Sequence, residues 1–274
     1  MSFVRYSKAI NPVSGELLAY HQQAFERGAN VNTAGIIRSA GKNYYDPGDG
    51  SLAGAWLLDE RKGRLCYDIS PNNRHLYWNP DSLPAWHSDG VDFSQSTDAL
   101  YDELGDDTFQ TAGTHTIMGW FYPHDSSYDM AVGYSKSDSV NRWFLYFRLG
   151  YIQFYAQEDN GSTEGTGMAA DHTAYTVNQW VHVAVSWTTE HPGIMPLMYK
   201  NGVVSKIGTK TPYDYSYTHT SSHRFMIGDT ASGHGFDGVV ARFAFYNRIL
   251  KPAEIYNDYA AGIYHTPEAL TYAV

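Results

Sequence analysis

The chain is 274 residues long, with 29 acidic against 19 basic residues and a formal net charge of −10. That balance is a poor match to nucleic acid or to anionic membranes, which attract basic surfaces. A single cysteine, Cys66, rules out an internal disulfide, so packing must hold whatever core the chain builds. The length suffices for one large domain or two small ones, and 15% aromatic content suits strands that pack bulky side chains between two sheets.

The N-terminal MSFVRYSKAINP lacks the apolar core of a secretory signal, and no apolar run is long enough to span a bilayer. The expectation is a protein made in a cytoplasm without a standard export signal. Asn160-Gly161-Ser162 is then a turn rather than a glycosylation site. Ser14–Arg27 reads as a short helix with Leu17, Leu18, His21 and Phe25 on one side, ahead of a Gly-, Asn- and Ala-rich stretch. Residues 1–50 therefore read as an arm that needs contacts to become ordered. Phe3, Tyr6, Leu17, Leu18, Phe25, Ile36, Ile37, Tyr44 and Tyr45 are its candidate anchor residues, meeting other proteins of an assembly, copies of the chain or the chain's own sandwich.

Strand signals follow from residue 51 onward. Ala53–Asp59 and Thr114–Pro123 read as strands. Arg142–Phe147 and Tyr151–Ala156 flank Arg148-Leu149-Gly150 as a hairpin. Glu158–Asp171 reads as a long Gly-rich loop, and the acidic run Asp102–Asp107 as a solvated one. Trp180–Trp187 is a strand, and Asn201-Gly202 is a strong signal for the hairpin that follows it. In GVVARFAFYNRILKPAEIYNDY, Val239, Ala241, Phe243 and Phe245 alternate on one face of a strand. Pro252 then opens a short helix over 252–261, which Gly262 ends.

This last segment resembles the closing motif of the laminin-G-like, concanavalin-A-like jelly rolls. DISPNNRH, THTIMGWFYP, WVHVAVSW and MYKNGV resemble the family's other motifs in the same order. The resemblance covers residues 51–264, leaving 265–274 as a tail. It implies an all-β, antiparallel two-sheet jelly-roll sandwich, a fold that often recognises carbohydrate. Ala241 stands where the family usually carries Asp.

The chemistry-bearing patterns are sparse. There is no H-E-x-x-H, no G-x-S-x-G, and no E-x-D-x-x-E of the kind carried by glycosidase relatives, so no enzyme activity is expected. The G-x-G-x-x-G run from Gly233 to Gly238 precedes a strand rather than a helix and reads as a turn. His219 and His223 lie in a polar stretch, and His182 reads as a packed strand histidine. No cofactor is required, but calcium is a candidate ligand, with Asp68, Asp92, Asp229 and Asp237 at turn positions. Tyr213, Tyr215 and Tyr217 would share one strand face, and with Asn160 and Glu164 they are the candidate glycan or partner contacts. The functional expectation is a non-enzymatic structural protein of a bacteriophage virion, in head decoration or tail. It would display the sandwich to stabilise the particle or touch host glycans. A free carbohydrate-binding lectin is the alternative.

Overall fold

The computed structural model describes residues 48–78, 84–87, 89–93, 98–102, 107–110, 112–135, 142–158, 166–191, 194–210, 224–228 and 235–263. The candidate anchor residues between Phe3 and Tyr45 lie outside these ranges. So do Asn160, Glu164, Tyr213, Tyr215, Tyr217, His219, His223, Asp229 and the tail.

In chain order the strands are β1 (Leu52–Trp56), β2 (Leu65–Cys66), β3 (Leu76–Trp78), β4 (Ala85–Trp86), β5 (Val91–Phe93) and β6 (Leu100–Tyr101). Then come β7 (Thr114–Pro123), β8 (Tyr128–Ser135), β9 (Arg142–Arg148), β10 (Tyr151–Glu158), β11 (Thr166–Ala174) and β12 (Val181–Thr188). The series closes with β13 (Leu197–Lys200), β14 (Val203–Ile207), β15 (Thr209–Lys210), β16 (Arg224–Ile227) and β17 (Gly238–Tyr246), followed by helix α1 (Pro252–Ile263). The first sheet runs β14-β13-β12-β7-β17-β5-β4, with β1 also on β17. The second runs β15-β11-β10-β9-β8-β16-β6-β3-β2. Every strand pair among them is antiparallel, as expected of a jelly-roll sandwich.

Between the sheets lies an aromatic core in which Trp56, Phe109, Trp143, Trp187, Phe225, Phe243 and Phe245 are fully buried. Phe109 and Phe225 sit 4.7 Å apart, and Trp187 and Phe154 4.9 Å. Each such ring removed from water contributes about 1.5–3 kcal/mol, which is how the sandwich holds without a disulfide. Cys66 is buried in β2, as its flanking residues suggested. A second apolar layer, including Ala55, Met118, Ala184, Tyr199, Tyr246 and Ile255, seats α1 on the outer face of the first sheet. Arg248 clasps Glu254 at 2.9 and 2.6 Å, fixing the turn into the helix.

Four local expectations are corrected. Thr166–Ala174, expected within or beside a long loop, is a strand along β10; its Gly and Ala residues conceal it because ladder bonds need no side chain. Asp102, expected in solvated loop, is buried and accepts the Phe225 N–H at 3.2 Å. The alternation in β17 is broken by a bulge at Arg242, whose φ is 53°. Val240, rather than Val239, therefore joins Phe243 and Phe245 in the inter-sheet core. Gly262 lies inside α1 rather than ending it. A Cβ there would stand 2.0 Å from the Trp120 indole nitrogen, so only glycine lets the helix descend onto the sheet.

The Asn201-Gly202 turn forms as expected, with φ of 51° and 78° joining β13 to β14.

Candidate functional site at the uncovered end of the first sheet

Helix α1 covers part of the first sheet's outer face. Beneath it, His182 on β12 meets Asp258 of the helix, Nε2 to Oδ2, at 3.0 Å. The Arg242 guanidinium donates to the other Asp258 oxygen at 3.1 Å. All three side chains are at most 3% exposed. A buried guanidinium needs a nearby carboxylate, and Asp258 supplies it while accepting from the imidazole. Trp120 stacks on Tyr259 at 5.7 Å and closes this side. His182 is thus the packed histidine that its strand pattern suggested.

Two residues further along β7 the same face carries the partly exposed Tyr122. Tyr122 stands opposite Val239 on β17, and Val239 opposite Asp92 on β5, a row across three strands. His124 follows β7 directly, and its N–H donates to the Asp237 carbonyl at 2.9 Å. Its Nδ1 lies 3.0 Å from Asp237 Oδ1 and 3.9 Å from Asp92 Oδ1. The side chains of His124, Asp92 and Asp237 are 31%, 27% and 44% exposed. Asp92 Oδ1 itself is shut from solvent without a hydrogen-bond partner. Burial holds the Asp92 carboxyl above the usual carboxylate range, opposed by the nearby His124 and His87.

An aromatic pair completes the site. The Tyr122 ring meets His124 edge-on at 5.7 Å and Trp180 at 5.4 Å, and both aromatic residues are partly exposed. Backbone ties hold the surrounding connections. Asn178, with φ of 58°, donates to the Pro123 carbonyl at 2.7 Å, and Leu149 donates to Ser126 at 2.9 Å. The Tyr175 hydroxyl donates to the Asp125 carbonyl at 3.2 Å. The aromatic pair, the imidazole and the two carboxylates are therefore presented from strand ends rather than from a free loop.

Of the four aspartates expected to converge, the structure brings Asp92 and Asp237 together. Asp68 lies elsewhere. It is buried, and its two oxygens accept from the N–H groups of Ala55, Ser70 and Arg74 and from the Ser70 hydroxyl at 2.7–2.9 Å. It organises the DISPNNR turn beside β1. Its neighbour Ala55 pairs with Ala244, seven residues and roughly 20 Å along β17 from Asp237. Among the described residues no group of three or more His, Cys, Asp or Glu side chains could hold a metal ion. Calcium takes six to eight oxygen ligands, so Asp92 and Asp237 would need further donors to cage it. Sequence reasoning missed Tyr122, His124 and Trp180. Trp120 and Tyr122 do alternate in THTIMGWFYPH, a pattern that puts both rings on one strand face.

Two stacked antiparallel sheets with one helix closing the last strand define a jelly-roll sandwich. A family model described as the concanavalin A-like lectin/glucanases superfamily matches residues 70–256, and the chain belongs to that superfamily. No curated protein matches the chain. Among solved structures it resembles the receptor binding domain of botulinum neurotoxin D, at 16% identity and a TM-score of 0.57. That match covers 78% of this chain and 53% of the other. The ligand binding domain of botulinum neurotoxin serotype D in complex with N-acetylneuraminic acid matches at 16% identity and a TM-score of 0.55, covering 78% and 51%. The binding domain of Paraclostridial Mosquitocidal Protein 1 matches at 13% and 0.56, covering 78% and 52%. The chain thus spans about half the length of the structures it resembles, and the likeness is one of fold.

Proposed function

We propose that this protein is a non-enzymatic recognition module that binds saccharide at the uncovered end of its first sheet. The observation carrying this reading is the partly exposed Tyr122–Trp180 pair beside the Asp92 and Asp237 carboxylates and the His124 imidazole. Sugar rings pack their C–H faces on aromatic rings, while their hydroxyls donate to fixed carboxylate and imidazole groups. The solved structures of similar fold support the reading, since they are binding domains and one is a complex with N-acetylneuraminic acid. A glycan array probed with the purified protein, with and without calcium, tests it. Saccharide binding lost in Trp180→Ala is expected; cleavage of any oligosaccharide on the array would overturn the non-enzymatic reading.

In the same proposal the module is displayed on a bacteriophage particle, in head decoration or tail, and held there through residues 1–50. What supports this is the sequence: those residues precede the sandwich and lie outside the family match. The expected outcome is recovery of the protein in purified particles by mass spectrometry. A chain lacking residues 1–48 should stay folded but fail to incorporate, and normal incorporation would refute the anchor.

A further inference from the structure

We propose that the saccharide taken at this rim is an amino sugar carrying a free protonated amine, an inference that rests on the saccharide-binding reading above. Three observations support it. First, the polar side of the site is dominated by two carboxylates, Asp92 and Asp237, on either side of the His124 imidazole, whose Nδ1–H donates to Asp237 at 3.0 Å. Second, the Asp92 side chain is 27% exposed, and its Oδ1 has no hydrogen-bond partner and stands 3.9 Å from His124 Nδ1, so a carboxylate in the wall of the site keeps acceptor capacity unused. An ammonium group brings three donors and a positive charge to such a wall, and a neutral hydroxyl brings one donor. Third, the chain as a whole carries a formal charge of −10, so the long-range field favours a cationic ligand and repels a carboxylated one. Tyr122 and Trp180 serve any pyranose alike, and an aromatic face also attracts a nearby cation. The aromatic pair therefore supplies affinity for a sugar, and the carboxylates choose its charge. This selection is opposite in sign to a site for sialic acid, whose carboxylate would face Asp92 and Asp237.

Isothermal titration of the full chain with glucosamine oligomers, their N-acetylated counterparts and a sialylated trisaccharide tests this, each with calcium and with chelator. The oligomer with free amines should bind about tenfold more tightly than the acetylated one, without calcium, and should weaken as salt is raised. Asp237→Asn and Asp92→Asn should each erase that preference, the oligomer with free amines losing more affinity than the acetylated one. The wild-type comparison of free with acetylated amine needs no variant, so a variant that folds poorly does not spoil the test. Equal binding of the two oligomers would overturn the charge selection and leave the saccharide site standing. Tight sialylated binding, or binding only with calcium, would overturn it as well. No binding of any sugar would remove both readings together.

Discussion

The first sheet carries two histidine–carboxylate pairs on its outer face, His182 with Asp258 and His124 with Asp237, each at 3.0 Å. Distance does not separate them; burial does. The first pair is fully buried beneath α1 and linked to Arg242, whereas the second is roughly a third to a half exposed at the sheet's end. In the buried pair every charge must be balanced within the protein, so its work is to fix the helix on the sheet. In the exposed pair water is the competitor, its contribution to stability is small, and its groups are free to meet a ligand. On the proposed reading, one chemistry on one sheet face serves architecture or recognition, depending on where the helix stops.

The strongest way to break this contrast is to remove the buried counter-ion. Asp258→Ala leaves the Arg242 guanidinium buried without its carboxylate and should cost about 3–5 kcal/mol in urea unfolding. A loss below 1 kcal/mol would mean that the helix is held by its apolar face alone.

Where the helix stops can be tested through Gly262. Gly262→Ala forces a methyl group into the Trp120 indole and should destabilise by about 1–3 kcal/mol, with altered tryptophan fluorescence. Unchanged fluorescence and stability would show that the helix end lifts freely from the sheet.

Stability against pH sharpens the rule that burial sets the role of an ionisable group. Burial, helped by the neighbouring Asp59, pushes Glu60 up to about 8 from 4.5. Burial pulls His115 down to about 4 from 6.5. The folded Glu60 keeps a proton that the unfolded chain releases above 4.5, so its contribution falls as pH rises from 4.5 to 8. The folded His115 stays neutral where the unfolded chain binds a proton, so its contribution grows as pH rises from 4 to 6.5. The two slopes oppose each other between 4.5 and 6.5. A plateau is expected there, followed by a loss of about 2 kcal/mol between pH 6.5 and 8. Glu60→Gln should flatten that upper decline; a decline that persists unchanged would assign it to another group.

The smallest expected effect lies at the rim. Asp237→Asn should change stability by no more than about 0.5 kcal/mol, since its pairing with His124 is exposed. A thermal melt much below wild type would move this pair to the architectural side of the comparison.

Much of the fold was legible in the chain. Thr114–Pro123 alternates as a strand that enters a sandwich must, and Asn201-Gly202 announces its hairpin because both positions need positive φ. The strand at Thr166–Ala174 was hidden by small residues whose pairing comes from backbone. The bulge at Arg242 was hidden because an added residue leaves the apolar composition of β17 unchanged while reversing its faces. The site was less legible for a plain reason. Asp92 and Tyr122 lie on two strands and Asp237 just ahead of a third, brought side by side by pairing over more than a hundred residues, and no local spacing records that. Asp92 and Asp237 were visible as turn carboxylates; their partner His124 was one histidine among twelve. Asp258 was unreadable as Arg242's counter-ion, because the two meet only when the helix folds back.

The most direct test of the account is a paired measurement on Trp180→Ala: saccharide affinity by titration and stability by thermal melt, both against wild type. The account predicts at least a tenfold loss of affinity, the scale of one lost stacking contact, with a melting temperature within a few degrees of wild type. Affinity unchanged in a well-folded Trp180→Ala protein would contradict it.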